Sequence, residues 1–212
     1  MLPQPFSVDA TGTPGGAPVI TPWKRLVPDP RFAGSWALFG DLDGDGQAEL
    51  VSARSWTNHD YPNDRHYVTT VVATDLDGKT LWHWGTPGAG AGDLHYDVPC
   101  QLYDGDGDGR LEVVFCTERE LVTLDGATGR EKSRYPLPPE ASDCIVFANL
   151  SGGPRATDVL VKTRYTQLWA YSRDWKPLWT TRLPSGCRTA HQPLPIDMDA
   201  DGRDEKIGRA HV

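Results

Sequence analysis

Short apolar runs of strand length, dense glycine and proline between them, and an aspartate-rich loop that returns at the interval of a four-stranded unit predict an all-β fold. The predicted architecture is an incomplete β-propeller of about three four-stranded blades plus the first strand of a fourth. The 212 residues include 22 Gly and 18 Pro, which makes turns frequent. No stretch holds a 3.6-residue apolar period long enough for a substantial helix.

The loop reads DLDGDGQAE from Asp41 to Glu49, DGDGDGRLE from Asp104 to Glu112 and DMDADGRDE from Asp197 to Glu205. A degenerate relative, NLSGGPRATD, runs from Asn149 to Asp158. Each full copy has aspartate at positions one, three and five, glycine at six and an acid at nine. Alternation keeps the carboxylates on one side of a tight loop and glycine permits the sharp turn. This is an oxygen cage suited to Ca²⁺, which takes roughly six to eight oxygen ligands. The candidate metal residues are Asp41, Asp43, Asp45, Gln47 and Glu49 in the first loop. Asp104, Asp106, Asp108, Arg110 and Glu112 form the second set, and Asp197, Asp199, Asp201, Arg203 and Glu205 the third. An EF-hand starts the same way but needs a bidentate glutamate at position twelve and flanking helices. Here position twelve is Ser52 or Phe115, and the flanks are short apolar runs. A metal-free Asp/Gly turn is the plainer alternative, but three copies at corresponding places of a repeat weigh against it, because close carboxylates without a cation repel.

Taken in order, residues 1–22 are a Pro-, Gly- and Thr-rich lead-in. The first blade, about 23–90, enters its loop through WALFG and leaves through LVSARS; HYVTTVVATD and KTLWHWG follow, joined at LDG. The segment SWTNHDYPNDRHY lengthens this unit between its second and third strands, and its polar and aromatic content predicts a rim position. The second blade, about 91–140, supplies LHYDVPCQLY, LEVVFCTE, ELVTLD and REKSRYPL. The third, about 141–186, supplies CIVFA, TDVLVKT, QLWAYS and PLWTTRL; RTAHQPLPI opens the fourth, 187–206. Trp82, Trp84, Trp169 and Trp179 recur in third and fourth strands, which predicts packing between blades, and Trp56 in the inserted segment is placed to stack on a sugar ring. Ile207 to Val212 can be encoded by the opening of a common sequencing adapter and are expected to be a non-native tail.

The formal charge of −8 argues against nucleic acid and against anionic membrane surfaces, and no apolar run approaches the ~20 residues of a membrane-spanning helix. Cys100, Cys116, Cys144 and Cys187 contain no C-x-x-C pair, so a zinc or thioredoxin-type site is unsupported. If strands flank the second loop as an antiparallel pair, Cys100 and Cys116 could lie across from each other and form a disulfide in an oxidising compartment, but buried free thiols are the expected state. Calcium cages suit an extracellular or periplasmic setting. No basic and apolar leader follows Met1, so either the start lies upstream or the protein is cytoplasmic.

The repeated D-x-D-x-D-G-x-x-[DE] loops, each followed by an apolar strand, resemble the FG-GAP/VCBS calcium-binding propeller repeats over roughly Trp23 to Glu205. The segments LHYDVPCQLYDGDGDG and CRTAHQPLPIDMDADG further resemble the His-bearing inner strands of rhamnogalacturonan lyases and related propeller polysaccharide lyases. There a motif such as R-A-G-A-H precedes a calcium loop; Arg188, Ala190 and His191 match it and Thr189 replaces glycine. His95 lies nine residues before its loop and His191 six. This resemblance implies β-elimination on a rhamnose- and uronate-containing acidic polysaccharide. The alternative is a non-catalytic adhesion or carbohydrate-binding propeller at a cell-surface glycan. Removing the proton α to a carboxylate requires neutralising that carboxylate, a base, and an acid for the leaving oxygen. The candidates are His95 or His191 as base, Tyr165 as acid, and Arg164 or Arg188 as carboxylate clamp. Their plain alternatives are strand hydrogen bonding for the histidines, ion pairing for the arginines and ring packing for Tyr165.

Overall fold

The computed structural model describes residues 23–58, 65–90, 98–138, 141, 143–182 and 193–207. Among these residues there is no helix. Fourteen strands form three four-stranded antiparallel sheets and one two-stranded sheet. The first sheet is β1 (Trp36–Gly40), β2 (Glu49–Asn58), β3 (Arg65–Thr74) and β4 (Thr80–Gly85). The second is β5 (Cys100–Tyr103), β6 (Glu112–Cys116), β7 (Glu120–Asp125) and β8 (Glu131–Pro136). The third is β9 (Cys144–Ala148), β10 (Asp158–Lys162), β11 (Gln167–Tyr171) and β12 (Pro177–Arg182). Strands β13 (Leu194–Ile196) and β14 (Glu205–Ile207) form the last pair.

Each sheet is a meander in sequence order, so every strand pairs with the next. The first strands β1, β5, β9 and β13 adjoin one another in succession. The sheets stack face to face and do not close into a ring among the described residues.

The period-2 pattern explains the stacking. In β6, Val113 and Phe115 point into a core shared with Val51, Ala53, Val71 and Trp82 of the first sheet. Val114 and Cys116 point the other way, into a core with Ile145, Val159 and Val161 of the third. A strand packed on both faces is apolar along its middle, and β6 and β10 are buried at every position, with the charged residues Glu112, Asp158 and Lys162 confined to their ends. In the outermost strands β8 and β12 no position is buried, and half-buried residues alternate with exposed ones.

Polar side chains lock neighbouring sheets. Trp82 donates its Nε1–H to the Gly126 carbonyl at 2.7 Å, and Trp36 donates to the Cys100 carbonyl at 2.9 Å. The Tyr103 ring stacks on Phe147 at 4.0 Å.

Three expectations change. The fourth unit has a short second strand after its loop, and Ile207, assigned above to a non-native tail, pairs with Leu194. Cys100 lies opposite Phe115 rather than Cys116, because the ladder ends one residue earlier than an equal-length pairing would; Cys100, Cys116 and Cys144 are buried free thiols. The inserted segment does not sit wholly at a rim. Its flanks extend β2 and β3 to ten residues each, and Thr57 and His66 are buried. The long hairpin leans on the third sheet, where His66 Nε2 lies 3.9 Å from Asp143 Oδ1. Trp56, on the opposite face, stays 40% exposed.

Candidate functional site

Antiparallel meanders separate the connections of each sheet into two ends. The acidic loops join the first strand to the second at one end. The β6–β7 and β10–β11 turns lie at the other, with the last residues of β2, the first of β3 and the starts of β5, β9 and β13.

At the acidic end the loops share one hydrogen-bond pattern. The carboxylate at position one accepts amides from positions four and six: Gly44 and Gly46 to Asp41 at 2.7 and 2.9 Å, Gly107 and Gly109 to Asp104 at 2.7 and 3.2 Å. Gly202 to Asp197, at 3.0 Å, repeats the second of these. Position three accepts the amide of position five, and position five that of position seven, in consecutive Asx turns. Gln47, Arg110 and Arg203 thus supply amides to Asp45, Asp108 and Asp201.

The acid at position nine is a clip. Glu49, Glu112 and Glu205 each accept the amide of position two, from Leu42, Gly105 and Met198, at 2.7 to 2.8 Å. Asp158 does the same for Ser151 at 2.6 Å. The degenerate loop therefore keeps the clip although its first aspartate is Asn149.

Position four carries a signal that the sequence reading passed over. Gly44 and Gly107 take φ of 84° and 83°, and Ala200 takes the same left-handed conformation at 64°.

Carboxylate oxygens of Asp41, Asp43 and Asp45 come within 4.8 Å of one another, as do those of Asp104, Asp106 and Asp108, and those of Asp197, Asp199 and Glu205. An all-oxygen set this close fits a hard cation such as Ca²⁺. Electrostatics differ between the loops. Burial raises the Glu49 carboxyl above its ordinary range; the Leu42 amide opposes this, and the charges of Asp43, Asp45 and Asp41 add to it. In the second loop, protein cations lie on the acids. Lys132 Nζ sits 2.6 Å from Asp106 and 2.7 Å from Glu112, and Arg155 reaches Asp104 at 3.1 Å. The Lys132 hydrogen bond is the chief reason the Asp106 carboxyl is held below its usual range. Partial burial acts to lower the Lys132 ammonium, but its bonds to Asp106 and Glu112 outweigh this and leave it raised. Arg155 belongs to the degenerate loop, and Asn149 of that loop donates to the Gly202 carbonyl at 2.7 Å, so the loops of successive sheets are in contact.

At the other end lie Arg164 and Tyr165, in the β10–β11 turn. Both are half-buried, with the guanidinium 5.1 Å from the ring centroid, so the acid and clamp expected from sequence stand side by side. Beneath them Lys162 is fully buried. Its ammonium donates to Asp143, to the Thr163 carbonyl at 3.1 Å and to the Arg164 carbonyl at 3.2 Å. Lys162 and Asp143 were not singled out from sequence, and His66 was read only as part of the inserted segment. His95, His191 and Arg188 lie outside the described residues, as does Cys187.

Residues 30–133 match rhamnogalacturonan lyase family 11, C-terminal domain. The chain is 25% identical to rhamnogalacturonan endolyase YesW of Bacillus subtilis (strain 168), over 83% of this chain and 37% of that protein. It is 30% identical to rhamnogalacturonan exolyase YesX of the same organism, over 52% of this chain and 18% of that protein. In structure it is similar to YesW with a TM-score of 0.55 at 24% identity, covering 83% of this chain and 40% of that one. Similarity to a Bacillus licheniformis rhamnogalacturonan lyase has a TM-score of 0.52 at 22% identity, covering 82% and 39%. The chain thus spans well under half the length of these relatives. An all-β sheet meander with acidic loops, matching the family over residues 30–133, is rhamnogalacturonan lyase-like.

Proposed function

We propose that the chain is part of a secreted polysaccharide lyase, built as a calcium-binding propeller of FG-GAP/VCBS type, that cleaves rhamnose- and uronate-containing glycans by β-elimination. The observation that carries this reading is the half-buried Arg164–Tyr165 pair at the end of the sheets away from the acidic loops, in a chain similar to rhamnogalacturonan lyases.

Arg164 or Arg188 neutralises the uronate carboxylate and so acidifies the α proton. His95 or His191 removes that proton, the electron pair forms a double bond to the neighbouring carbon, and the glycosidic C–O bond breaks. Tyr165 supplies a proton to the departing oxygen. Ca²⁺ in the loops is assigned a structural role: with the acids neutralised, each loop fixes the junction of a first and a second strand.

The test is incubation of the whole protein that contains this chain with rhamnogalacturonan and with ulvan while following ultraviolet absorbance from the unsaturated uronate. Absorbance should rise, and should fall away in Arg164→Ala and Tyr165→Phe. Turnover that survives both His95→Ala and His191→Ala removes the proposed base. Binding of either glycan with no unsaturated product refutes the lyase reading in favour of a non-catalytic carbohydrate-binding propeller.

A further inference from the structure

The buried Lys162–Asp143 pair occupies a corner that the protein builds without charge elsewhere. Register aligns the second and third sheets residue by residue: Glu112 pairs with Tyr103 as Asp158 pairs with Ala148. Counting along the strands from these pairs, Cys116 takes the place of Lys162, and Val98 that of Asp143. Val98 and Cys116 are buried, as Asp143 and Lys162 are.

Both corners lead into the same kind of turn. In the second sheet the Thr117 amide donates to the Glu120 carbonyl at 2.8 Å, and Thr117 Oγ1 accepts the Glu120 amide at 3.1 Å. In the third, the Thr163 amide donates to the Gln167 carbonyl at 3.0 Å, and Thr163 Oγ1 accepts the amides of Thr166 and Gln167, each at 3.0 Å. The second-sheet turn, one residue shorter, thus closes without a buried charge, on its threonine and on a Leu137 amide donated to the Arg119 carbonyl at 2.7 Å. A buried ion pair is generally no more stabilising than apolar residues of similar volume, so fold stability does not explain the substitution of Lys162 and Asp143 for a Cys and a Val.

What distinguishes the third turn is its cargo. It carries Arg164 and Tyr165, and all three protons of the Lys162 ammonium are engaged: one by Asp143 and two by the main-chain carbonyls of Thr163 and Arg164. Those carbonyls set the peptide planes from which the Arg164 and Tyr165 side chains depart. Asp143 also meets His66 at 3.9 Å, which brings the long β2–β3 hairpin to the same point. Thr57 holds the other nitrogen of that imidazole at 3.2 Å.

We propose that Lys162, neutralised by Asp143, is a positioning residue that fixes the backbone of the Thr163–Gln167 turn and thereby aims Arg164 and Tyr165 at a uronate glycan. This rests on the lyase reading above. Preorganisation of this kind is what a half-ångström tolerance at a reacting centre demands.

The experiment replaces the charged corner by an apolar one in a single chain, Asp143→Val with Lys162→Met, so that no lone charge is left buried. The double variant should keep a cooperative thermal transition. Amide hydrogen exchange in Thr163–Gln167 should quicken at least tenfold, with the Thr117–Glu120 turn and the acidic loops unchanged. Its kcat/KM on the cleaved glycan should fall at least tenfold, and the alkaline limb of the pH–rate profile should move. A mere loss of stability would not displace that limb. Unchanged exchange, or unchanged kcat/KM and pH profile, overturns the proposal, and so does loss of the cooperative transition, which would make the pair an element of stability. If the unmutated whole protein cleaves no uronate glycan, the lyase reading fails separately, and the exchange measurement alone decides whether Lys162 holds the turn.

Discussion

Replacing Lys132 by methionine should tighten calcium binding at the second acidic loop and leave the first loop as it is. The ammonium lies 2.6 Å from Asp106 Oδ2 and 2.7 Å from Glu112 Oε1. A calcium ion on Asp106 would sit at about 2.4 Å from its oxygen, which brings the two cations to within about 5 Å of each other. Unit charges at about 4 Å interact by about 1 kcal/mol in water, so an ammonium and a divalent ion near that distance repel by about 2 kcal/mol. The water value is appropriate because the Lys132 side chain is 32% exposed. By the usual conversion of about 1.4 kcal/mol per tenfold, Lys132→Met should lower the dissociation constant of that loop about 30-fold. Methionine keeps most of the packed volume. The variant also leaves the buried Glu112 carboxylate without its ammonium, so its melting temperature in chelator should fall, and calcium should restore more than it does in the parent chain. Calorimetric calcium titration of both chains, with thermal melts in calcium and in chelator, measures the two effects. Binding that weakens or stays the same in Lys132→Met refutes the competition argument.

Four further outcomes follow from the same geometry. Glu49→Gln keeps an acceptor for the Leu42 amide and removes a charge that burial and three aspartates disfavour. Because the folded-state pKa of Glu49 is raised, its ionisation opposes folding, absent below the ordinary carboxyl range and complete above the raised value; the substitution should therefore raise the chelator-state melting temperature at neutral pH and weaken the calcium response. Ala200→Gly relieves a left-handed alanine at φ 64° and should stabilise the last loop by about 1 kcal/mol, read by hydrogen exchange of the β13–β14 pair. Gly129→Ala should cost more than Gly78→Ala in denaturant melts, by about 1–3 kcal/mol of overpacking, since both glycines have positive φ but a Cβ at Gly129 falls 2.5 Å from the Trp82 ring and one at Gly78 meets nothing. Burial pushes the Cys100 thiol up to about 12 and Cys116 well above its ordinary value, so both should resist maleimide at pH 8 in the folded chain and react once it is unfolded.

Strand positions were readable along the chain because they rest on local chemistry. The buried Leu121, Val122 and Leu124 of ELVTLD and the continuous apolar run in EVVFC both follow from packing on two faces. The acidic loops were equally readable, since an Asx turn depends on residues two to five positions apart. Arg164 and Tyr165, neighbours in the chain and named from sequence, are half-buried in the β10–β11 turn. Less readable was the fate of the inserted segment, whose polar content suggested a rim although His66 is fully buried. A polar residue can be buried where another element brings it a partner, and nothing near His66 in the chain announces Asp143.

The amino-acid sequence by itself determined an all-β chain of repeated strand–acidic loop–strand units, because turn chemistry and side-chain alternation act within a few residues. Only the tertiary structure decided which charges meet. Lys132 lies 26 residues from Asp106, and Arg155 lies 51 from Asp104. Lys162 is 19 residues from Asp143. Whether a carboxylate faces solvent, a protein cation or an open cage depends on how sheets stack, and stacking is set by apolar area that carries no address for the polar groups at its edge.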